Sequence, residues 1–288
     1  MDKIRKYATA TAFRRALEDR LKLVAAAERR DFQRLLRDVA FDRFLARLFS
    51  SGKAPWVLKG GYALELRIKE ARVTKDIDLA LRESLGKERG EPLSRAIFEA
   101  LTAAAAREMD DFFSFRVGEA MHDLDAAPYG GARFPVTARL DARDFVKFHI
   151  DVAAGDVVLS PLDTTEGHGW LNFAGIPPAK FPTISREQHF AEKLHAYTVP
   201  RQTPNSRVRD LVDMLLLIGP DKLDRGNVLE ALRATFERRK THSLPTSLER
   251  PPEAWRGPFS KLASGCGLAA DLDAAFGTVN AYFSALGS

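Results

Sequence analysis

Apolar residues recur at two different spacings along the chain, and each spacing predicts a different secondary structure. From Ile4 to Phe49 they return every three or four positions, as in the row Phe13, Leu17 and Leu21, which predicts two or three amphipathic helices. Residues 76–81 instead place an apolar side chain at every second position. That period of two is typical of a half-buried strand.

Two neighbouring segments near the middle of the chain carry the same alternation and predict a β-hairpin. Apolar side chains occupy every second position in residues 136–140 and again in residues 146–152, and a short polar connection joins the two runs. On the second strand this alternation leaves Lys147, His149 and Asp151 on the face opposite the core.

The last third of the chain is predicted to be helical. Proline and glycine residues cluster in residues 161–182, which indicates a domain boundary. Beyond it, residues 185–188 have the order of a capping box, and Phe190, Leu194 and Tyr197 form the apolar stripe of the helix that follows. We therefore predict an α+β fold in three parts: a basic helical segment packed on the core (1–50), a core of mixed or antiparallel sheet flanked by helices (51–180) and an α-helical carboxy-terminal domain (181–288).

Composition narrows the class of protein. With 45% hydrophobic and 29% charged residues, the chain has the make-up of an ordinary globular protein. No apolar run approaches the roughly 20 residues that span a bilayer, so we expect a cytoplasmic protein with no membrane partner. The single cysteine, Cys266, excludes an internal disulfide and a multi-cysteine zinc site.

Positive charge is concentrated at the amino terminus. The chain carries a net charge of +5, and residues 1–50 hold 13 Lys and Arg against 7 Asp and Glu. A basic helical arm suits a polyanion such as RNA. The alternative is a solvated helix face whose charges are balanced by its own acidic residues.

A Gly-Gly pair marks the first candidate for chemistry. Gly60 and Gly61 lie where an apolar run gives way to a helical pattern, with Leu64 and Ile68 four residues apart. The backbone N–H groups and the positive dipole end of a helix that begins there can bind a phosphate. A turn without any ligand is the alternative interpretation.

Acidic residues on the predicted strands form the second candidate. The alternation of residues 76–81 places Asp76 and Asp78 on one face, where hard oxygen ligands suit Mg²⁺ that carries substrate phosphates. If the second hairpin strand pairs beside them, Asp151 joins as a third carboxylate. Three carboxylates would hold two Mg²⁺ ions, Asp151 would also accept the proton of the attacking hydroxyl, and Arg139 on the facing strand would neutralise a phosphate.

Charged residues on the carboxy-terminal helices form the third candidate. Lys193 lies off the apolar stripe of its helix and is predicted to project toward a cleft. Asp210 and Asp213, three residues apart, lie one above the other on the next helix, and Arg209 is four residues before Asp213. That spacing is typical of a surface ion pair.

The order of these features resembles the DNA polymerase β-like nucleotidyltransferases: a strand, a Gly-Gly turn, a helix, and then a strand that carries two aspartates. No other phosphate-binding motif competes with it in the sequence. Four segments together resemble the AbiEii-type nucleotidyltransferase toxins, including the MenT group of mycobacterial toxin–antitoxin systems. They are Lys59–Arg67, Thr74–Asp78, Glu192–Ala196 and Arg207–Asp213.

This resemblance implies a polymerase β-like core with a helical carboxy-terminal domain. It also implies transfer of a nucleotide, commonly a pyrimidine from CTP or UTP, to the 3′ acceptor end of tRNA, which blocks translation. A cognate antitoxin would be a further partner, and one or two Mg²⁺ ions the cofactor.

Some of the site residues follow from the resemblance by position. Gly60 and Gly61 match the phosphate-binding turn, Asp76 and Asp78 the metal ligands, and Lys193 the lysine that approaches the nucleotide phosphates. The full predicted set consists of Asp76, Asp78, Asp151, Lys193 and Asp213 for catalysis, the first three of them also as metal ligands, and Gly60, Gly61, Thr74, Lys75, Arg139, Lys193 and Arg207 for nucleotide binding.

Two other functions remain open at this point. A small-molecule nucleotidyltransferase of the antibiotic-modifying kind would use the same metal chemistry without needing a basic arm. A catalytically silent RNA-binding protein would keep the basic charge but bind no Mg²⁺–NTP.

Overall fold

The computed structural model describes residues 6–82, 92–124, 127–202, 205–219 and 222–287. Its helices are α1 Ala10–Glu28, α2 Phe32–Phe49, α3 Gly60–Arg67, α4 Leu93–Ala105, α5 Arg186–Thr198, α6 Val208–Ile218, α7 Arg225–Arg239, α8 Arg256–Gly265 and α9 Leu272–Gly287. Its strands are β1 Trp56–Lys59, β2 Asp76–Leu81, β3 Phe113–Val117, β4 His122–Asp123, β5 Gly131–Leu140, β6 Arg143–Ala153, β7 Asp163–Glu166 and β8 Lys180–Thr183. None of the helices in these ranges is both long enough and apolar enough to cross a membrane.

The strands form one mixed sheet with the order β3-β5-β6-β2-β1-β8-β7, and β4 pairs with β5 as well. The predicted hairpin is present, since β5 and β6 pair antiparallel. Next to it, β2 lies parallel to β6, and β1 lies parallel to β8. The predicted α+β fold, with a mixed sheet flanked by helices, is confirmed.

Helix α2 covers one face of this sheet because its aromatic side chains meet those of the strands. The ring centroid of Phe148 lies 4.9 Å from that of Phe41 and 5.6 Å from that of Phe44. Phe44 also lies 5.2 Å from Phe115. The charged positions of β2 and β6 therefore point to the opposite face.

The chain divides into two compact units. The first, here called the sheet unit, contains Met1–Leu58, Lys75–Ala154 and Thr164–Thr183. The second, the helical unit, contains Lys59–Thr74, Gly155–Asp163 and Ile184–Ser288. The amino-terminal helices are in the sheet unit, on whose core they were predicted to pack. Residues 59–74 and 155–163, which the predicted boundaries placed in the core, are grouped with the carboxy-terminal helices.

Two short strands lie in the segment that was expected to be a proline-rich crossing between domains. Both β7 and β8 belong to the sheet, although Pro182 lies within β8. Proline interrupts the hydrogen-bonding pattern of a strand and weakens its sequence signal. The pattern of residues 161–182 therefore did not predict β8, and β7 has only four residues, too few for a clear alternation.

Helix α5 begins with half of the predicted capping box. The Ser185 hydroxyl accepts a hydrogen bond from the Gln188 N–H, at 3.1 Å. The Gln188 side chain does not complete the box, because its amide donates to the Val157 carbonyl and its oxygen accepts from the Leu159 N–H. The predicted stripe of Phe190, Leu194 and Tyr197 is buried, as expected.

Candidate active site

Three aspartates lie together on the open face of the sheet. In the parallel pairing of β2 with β6, Asp78 lies opposite Asp151 and Asp76 lies opposite His149. The His149 Nδ1 atom is 3.7 Å from the Asp76 carboxylate. The strand pairing on which the prediction of a third acid depended is therefore present.

An arginine outside the predicted set of site residues binds this acidic cluster. Arg133 on β5 donates two hydrogen bonds to Asp151, both of 2.7 Å, and its Nη2 atom is 3.4 Å from Asp76. The hydrogen bonds to Asp151, opposed by partial burial and supported by the charges of Asp151, Asp76 and Asp78, raise the pKa of Arg133. The guanidinium therefore remains fully charged among the carboxylates.

Arg139 lies on the facing strand, as predicted, but away from the acidic cluster. The β5–β6 register places Arg139 opposite Asp144, whereas Arg133 lies opposite Asp151. Six residues of strand separate the two arginines, about 20 Å. Arg133 could have been found by continuing the alternation of 136–140 back past Pro135, which marked the apparent strand end.

The Gly-Gly turn belongs to the helical unit and has the expected shape. Gly60 begins α3 with a φ of +63°, a conformation that favours glycine. Gly61 lies against Thr74, since a Cβ atom added to Gly61 would be 2.7 Å from the Thr74 Oγ1 atom. The buried Thr74 is held by a hydrogen bond from its N–H to Glu65. A tight turn of two glycines is thus present at the start of a helix, where a phosphate was predicted to bind.

Lys193 lies between two aspartates of α6. Its Nζ atom is 2.8 Å from Asp213 and 3.0 Å from Asp210. Arg72 approaches the same Asp213 with two hydrogen bonds of 2.8 and 2.9 Å. The prediction that Lys193 projects freely was therefore wrong, because its ammonium group is engaged in buried ion pairs.

The environment of Asp213 shows why this cluster stays ionised. Burial alone would raise the pKa of Asp213, but the charges and hydrogen bonds of Lys193 and Arg72 lower it to about 2. The predicted surface partner, Arg209, is exposed, and Arg72 makes the ion pair in its place. No periodic pattern could identify Arg72, because it lies in the connection between α3 and β2.

Two further predicted residues lie at the edges of these groups. Arg207 is 44% exposed and its guanidinium is 3.7 Å from Asp210. Lys75, directly before β2, is exposed. Both are accessible to an anionic ligand, which is what the predicted role in nucleotide binding requires.

The acidic cluster fits a divalent ion that arrives with its nucleotide better than a preformed metal centre. Within the described ranges, no three acidic, histidine or cysteine side chains converge as a ready cation site, and Arg133 binds both oxygens of Asp151. Asp76 and Asp78 supply the one or two carboxylates that Mg²⁺ usually takes when substrate phosphates complete its coordination.

Much of the amino-terminal positive charge is neutralised inside the sheet unit. Arg43 and Arg47 are buried and bind Asp111. Arg30, in the turn between α1 and α2, is 2.9 Å from the buried Asp38. The positive charge that this segment exposes is therefore smaller than its sequence suggests.

A glycine turn into a helix, a strand with two aspartates on an open sheet face, and a lysine held by an aspartate are each features expected of a nucleotidyltransferase. The family described as "Nucleotidyl transferase AbiEii toxin, Type IV TA system" matches residues 43–279, and the chain belongs to this family. It is thus a nucleotidyltransferase toxin of a type IV toxin–antitoxin system. Membership implies an NTP substrate, a divalent metal ion and an antitoxin partner.

One solved structure supports the fold, and another matches the chain with a lower score. The chain is similar to MenT4, the nucleotidyltransferase toxin Rv2826c from Mycobacterium tuberculosis H37Rv, with a TM-score of 0.56 and 18% identity over 92% of this chain and 98% of that one. JHP933 from Helicobacter pylori gives a TM-score of 0.44 and 14% identity over 88% of this chain and 96% of that one. No curated protein sequence matches the chain.

Proposed function

We propose that this nucleotidyltransferase transfers a pyrimidine nucleotide from CTP or UTP to the 3′ end of tRNA and so blocks translation. The observation that supports RNA as the acceptor of the nucleotide is a cationic strip on the open sheet face. Arg116, Arg139 and Lys147 form this strip, on the same face as Asp76 and Asp78. The choice of tRNA and of a pyrimidine rests on the resemblance to the AbiEii toxins.

Strand register places the cationic strip on one face. Thr137 on β5 lies opposite both Arg116 on β3 and Lys147 on β6. Directly opposite residues of antiparallel strands share a face. Here the side chains of Arg139 and Lys147 are 49% and 71% exposed, and both approach Asp144, at 3.6 and 3.3 Å. One carboxylate among three cations leaves a net positive surface for RNA phosphates.

A cavity between these side chains gives the strip a defined shape. Its volume is about 320 Å³, and it is lined by Ser114, Phe115, Arg116, Thr137, Arg139 and Asp144. A site of this size lies at the lower end of the range of roughly 300–1,000 Å³ that holds small ligands. It suits one nucleotide unit of a bound strand.

The proposed reaction is an in-line displacement at the α-phosphorus of the NTP. The RNA 3′-hydroxyl gives its proton to water, its oxygen forms a bond to this phosphorus, the bond to the bridging oxygen of the β-phosphate breaks, and pyrophosphate leaves. Asp76 and Asp78 would hold the divalent ion, which when bound neutralises the triphosphate and the departing pyrophosphate.

Residues of the helical unit are proposed to bind the nucleotide phosphates. The N–H groups at the Gly60-Gly61 turn would donate hydrogen bonds to phosphate oxygens. An ammonium group has three N–H donors, and two of those of Lys193 go to Asp213 and Asp210. Its third donor can reach a phosphate while the aspartates fix the side chain.

The acceptor is tested by incubating the protein with Mg²⁺, total tRNA and each of the four NTPs labelled at the α-phosphate. We expect label at the RNA 3′ end, from CTP or UTP. Label on a small molecule but not on RNA would instead favour the antibiotic-type enzyme. Failure to bind any Mg²⁺–NTP would favour the catalytically silent RNA-binding protein.

A second prediction concerns the cationic strip. The triple variant Arg116→Gln, Arg139→Gln, Lys147→Gln is expected to bind tRNA about 10- to 100-fold more weakly, because up to three phosphate contacts are lost. The slope of log K against log salt concentration should fall by about 2, with NTP binding unchanged. The measurement is tRNA binding at several salt concentrations.

A matched triple variant on α1 and its C-terminal cap provides the control. Arg15, Lys22 and Arg29 are exposed, and replacing them with glutamine removes the same charge from another surface. We expect tRNA binding close to that of the unmodified protein. Equal losses in both triple variants would show that net charge, and not the sheet face, binds the RNA.

A further inference from the structure

Arg133 occupies a place where a nucleotidyltransferase with three clustered acids would need a cation. Its guanidinium binds both carboxylate oxygens of Asp151, with one N–H donor for each, at 2.7 Å. A third contact reaches Asp76 at 3.4 Å. Asp151 lies directly opposite Asp78 in the sheet. The side chain of Arg133 thus connects Asp151 on β6 with Asp76 on β2.

The geometry of the Arg133–Asp151 pair leaves little room for a metal ion at Asp151. Two parallel N–H···O bonds between a guanidinium and a carboxylate are among the strongest hydrogen bonds in proteins. Mg²⁺ requires oxygen ligands at about 2.0–2.1 Å in octahedral geometry. An ion could coordinate the oxygens of Asp151 fully only if Arg133 moved away.

Charge leads to the same conclusion. Three neighbouring carboxylates repel one another unless cations lie between them. One divalent ion at Asp76 and Asp78 balances two of the charges, and the Arg133 guanidinium balances that of Asp151. A second divalent ion is therefore not needed for neutrality.

We infer that Arg133 takes the place of a second divalent ion, so that the chain binds one ion, with the nucleotide, at Asp76 and Asp78. In this arrangement Asp151 positions Arg133 and is neither a metal ligand nor a general base, contrary to the prediction from strand alternation. The inference rests on nucleotide transfer, as proposed above, but not on the identity of the acceptor.

The number of bound ions tests the inference without RNA. Mn²⁺ is titrated into the protein in the presence of a CTP analogue with a methylene group between the α- and β-phosphorus atoms, and again with the UTP analogue. Free Mn²⁺ is followed by its electron paramagnetic resonance signal. We expect one bound ion per chain, and two in the Arg133→Gln variant, in which Asp151 is released.

Two further variants separate this result from a folding defect. Arg133→Lys keeps the positive charge and should bind one ion. Combining Arg133→Gln with Asp151→Asn removes the released carboxylate and should return the count from two to one. Two ions in the unmodified protein, or one in Arg133→Gln, would overturn the inference. A failure to label tRNA would overturn the proposed acceptor and leave the ion count unaffected.

Discussion

Replacing Asp78 with asparagine is expected to lower nucleotide transfer by about 10³-fold while the protein remains folded. A divalent ion supplies several kcal/mol of transition-state stabilisation, and each loss of about 1.4 kcal/mol lowers the rate tenfold. The substituted amide would keep the shape of the side chain but lose the charged oxygen ligand. Because Asp78 lies opposite Asp151, its neutralisation also relieves repulsion and should not destabilise the sheet. The measurement is the initial rate of label transfer from NTP.

Asp144→Asn is the matched control for this variant. Asp144 lies on the same sheet face, beside Arg139 and Lys147 of the cationic strip, and is 53% exposed. Its neutralisation removes the same charge without touching Asp76 or Asp78, and the positive surface becomes stronger. We expect its transfer rate at saturating RNA to stay within about threefold of the unmodified rate, since only screened surface charges change. Comparable losses in both variants would mean that Asp78 acts through the general charge of the face.

The sequence was most informative where function and folding depend on local order. Alternation alone placed Asp76, Asp78 and Asp151 on the open face, because the period of a strand is fixed by backbone geometry. The glycine turn was equally local, since Gly60 requires a positive φ. Predicting these features requires no knowledge of which strands pair. The exception is the position of Asp151 next to Asp78, which depends on the pairing of β6 with β2.

Ion-pair partners could not be predicted in the same way. Arg72 and Asp213 are 141 residues apart in the chain, and many arginines could have paired with Asp213. Choosing Arg209 followed a helix spacing rule that describes exposed side chains. The helix buries Asp213 instead, and a buried carboxylate takes the partner that tertiary packing brings to it. The strand that carries Arg133 was similarly obscured by Pro135.

Charge counting was misleading for a related reason. The excess of basic residues in 1–50 suggested an RNA-binding arm, yet two of the four arginines of α2 contribute to folding. Arg43 and Arg47 are both buried and share one carboxylate, that of Asp111. A net charge is a useful guide to a binding surface only after the buried charges have been subtracted. The cationic strip on the sheet remains after that correction.

The buried Asp111 provides the largest expected effect on stability. It accepts hydrogen bonds of 2.7–2.8 Å from Arg43 and Arg47. Burial alone would raise the pKa of Asp111, but the hydrogen bonds and charges of the two arginines lower it overall. Asp111→Ala would leave two buried guanidinium groups without their shared carboxylate. We expect a loss of about 3–5 kcal/mol in the free energy of unfolding.

Urea unfolding followed by tryptophan fluorescence measures this loss, because Trp56 in the same unit is buried and reports its opening. Asp144→Ala is the comparison: it also removes a carboxylate with two cationic neighbours, but at an exposed site, where an ion pair contributes about 1 kcal/mol or less. The midpoint should therefore move strongly for Asp111→Ala and little for Asp144→Ala. Similar small shifts in both would mean that Arg43 and Arg47 find water or new partners once Asp111 is gone. In that case the positive charge of α2 would be available for a polyanion after all.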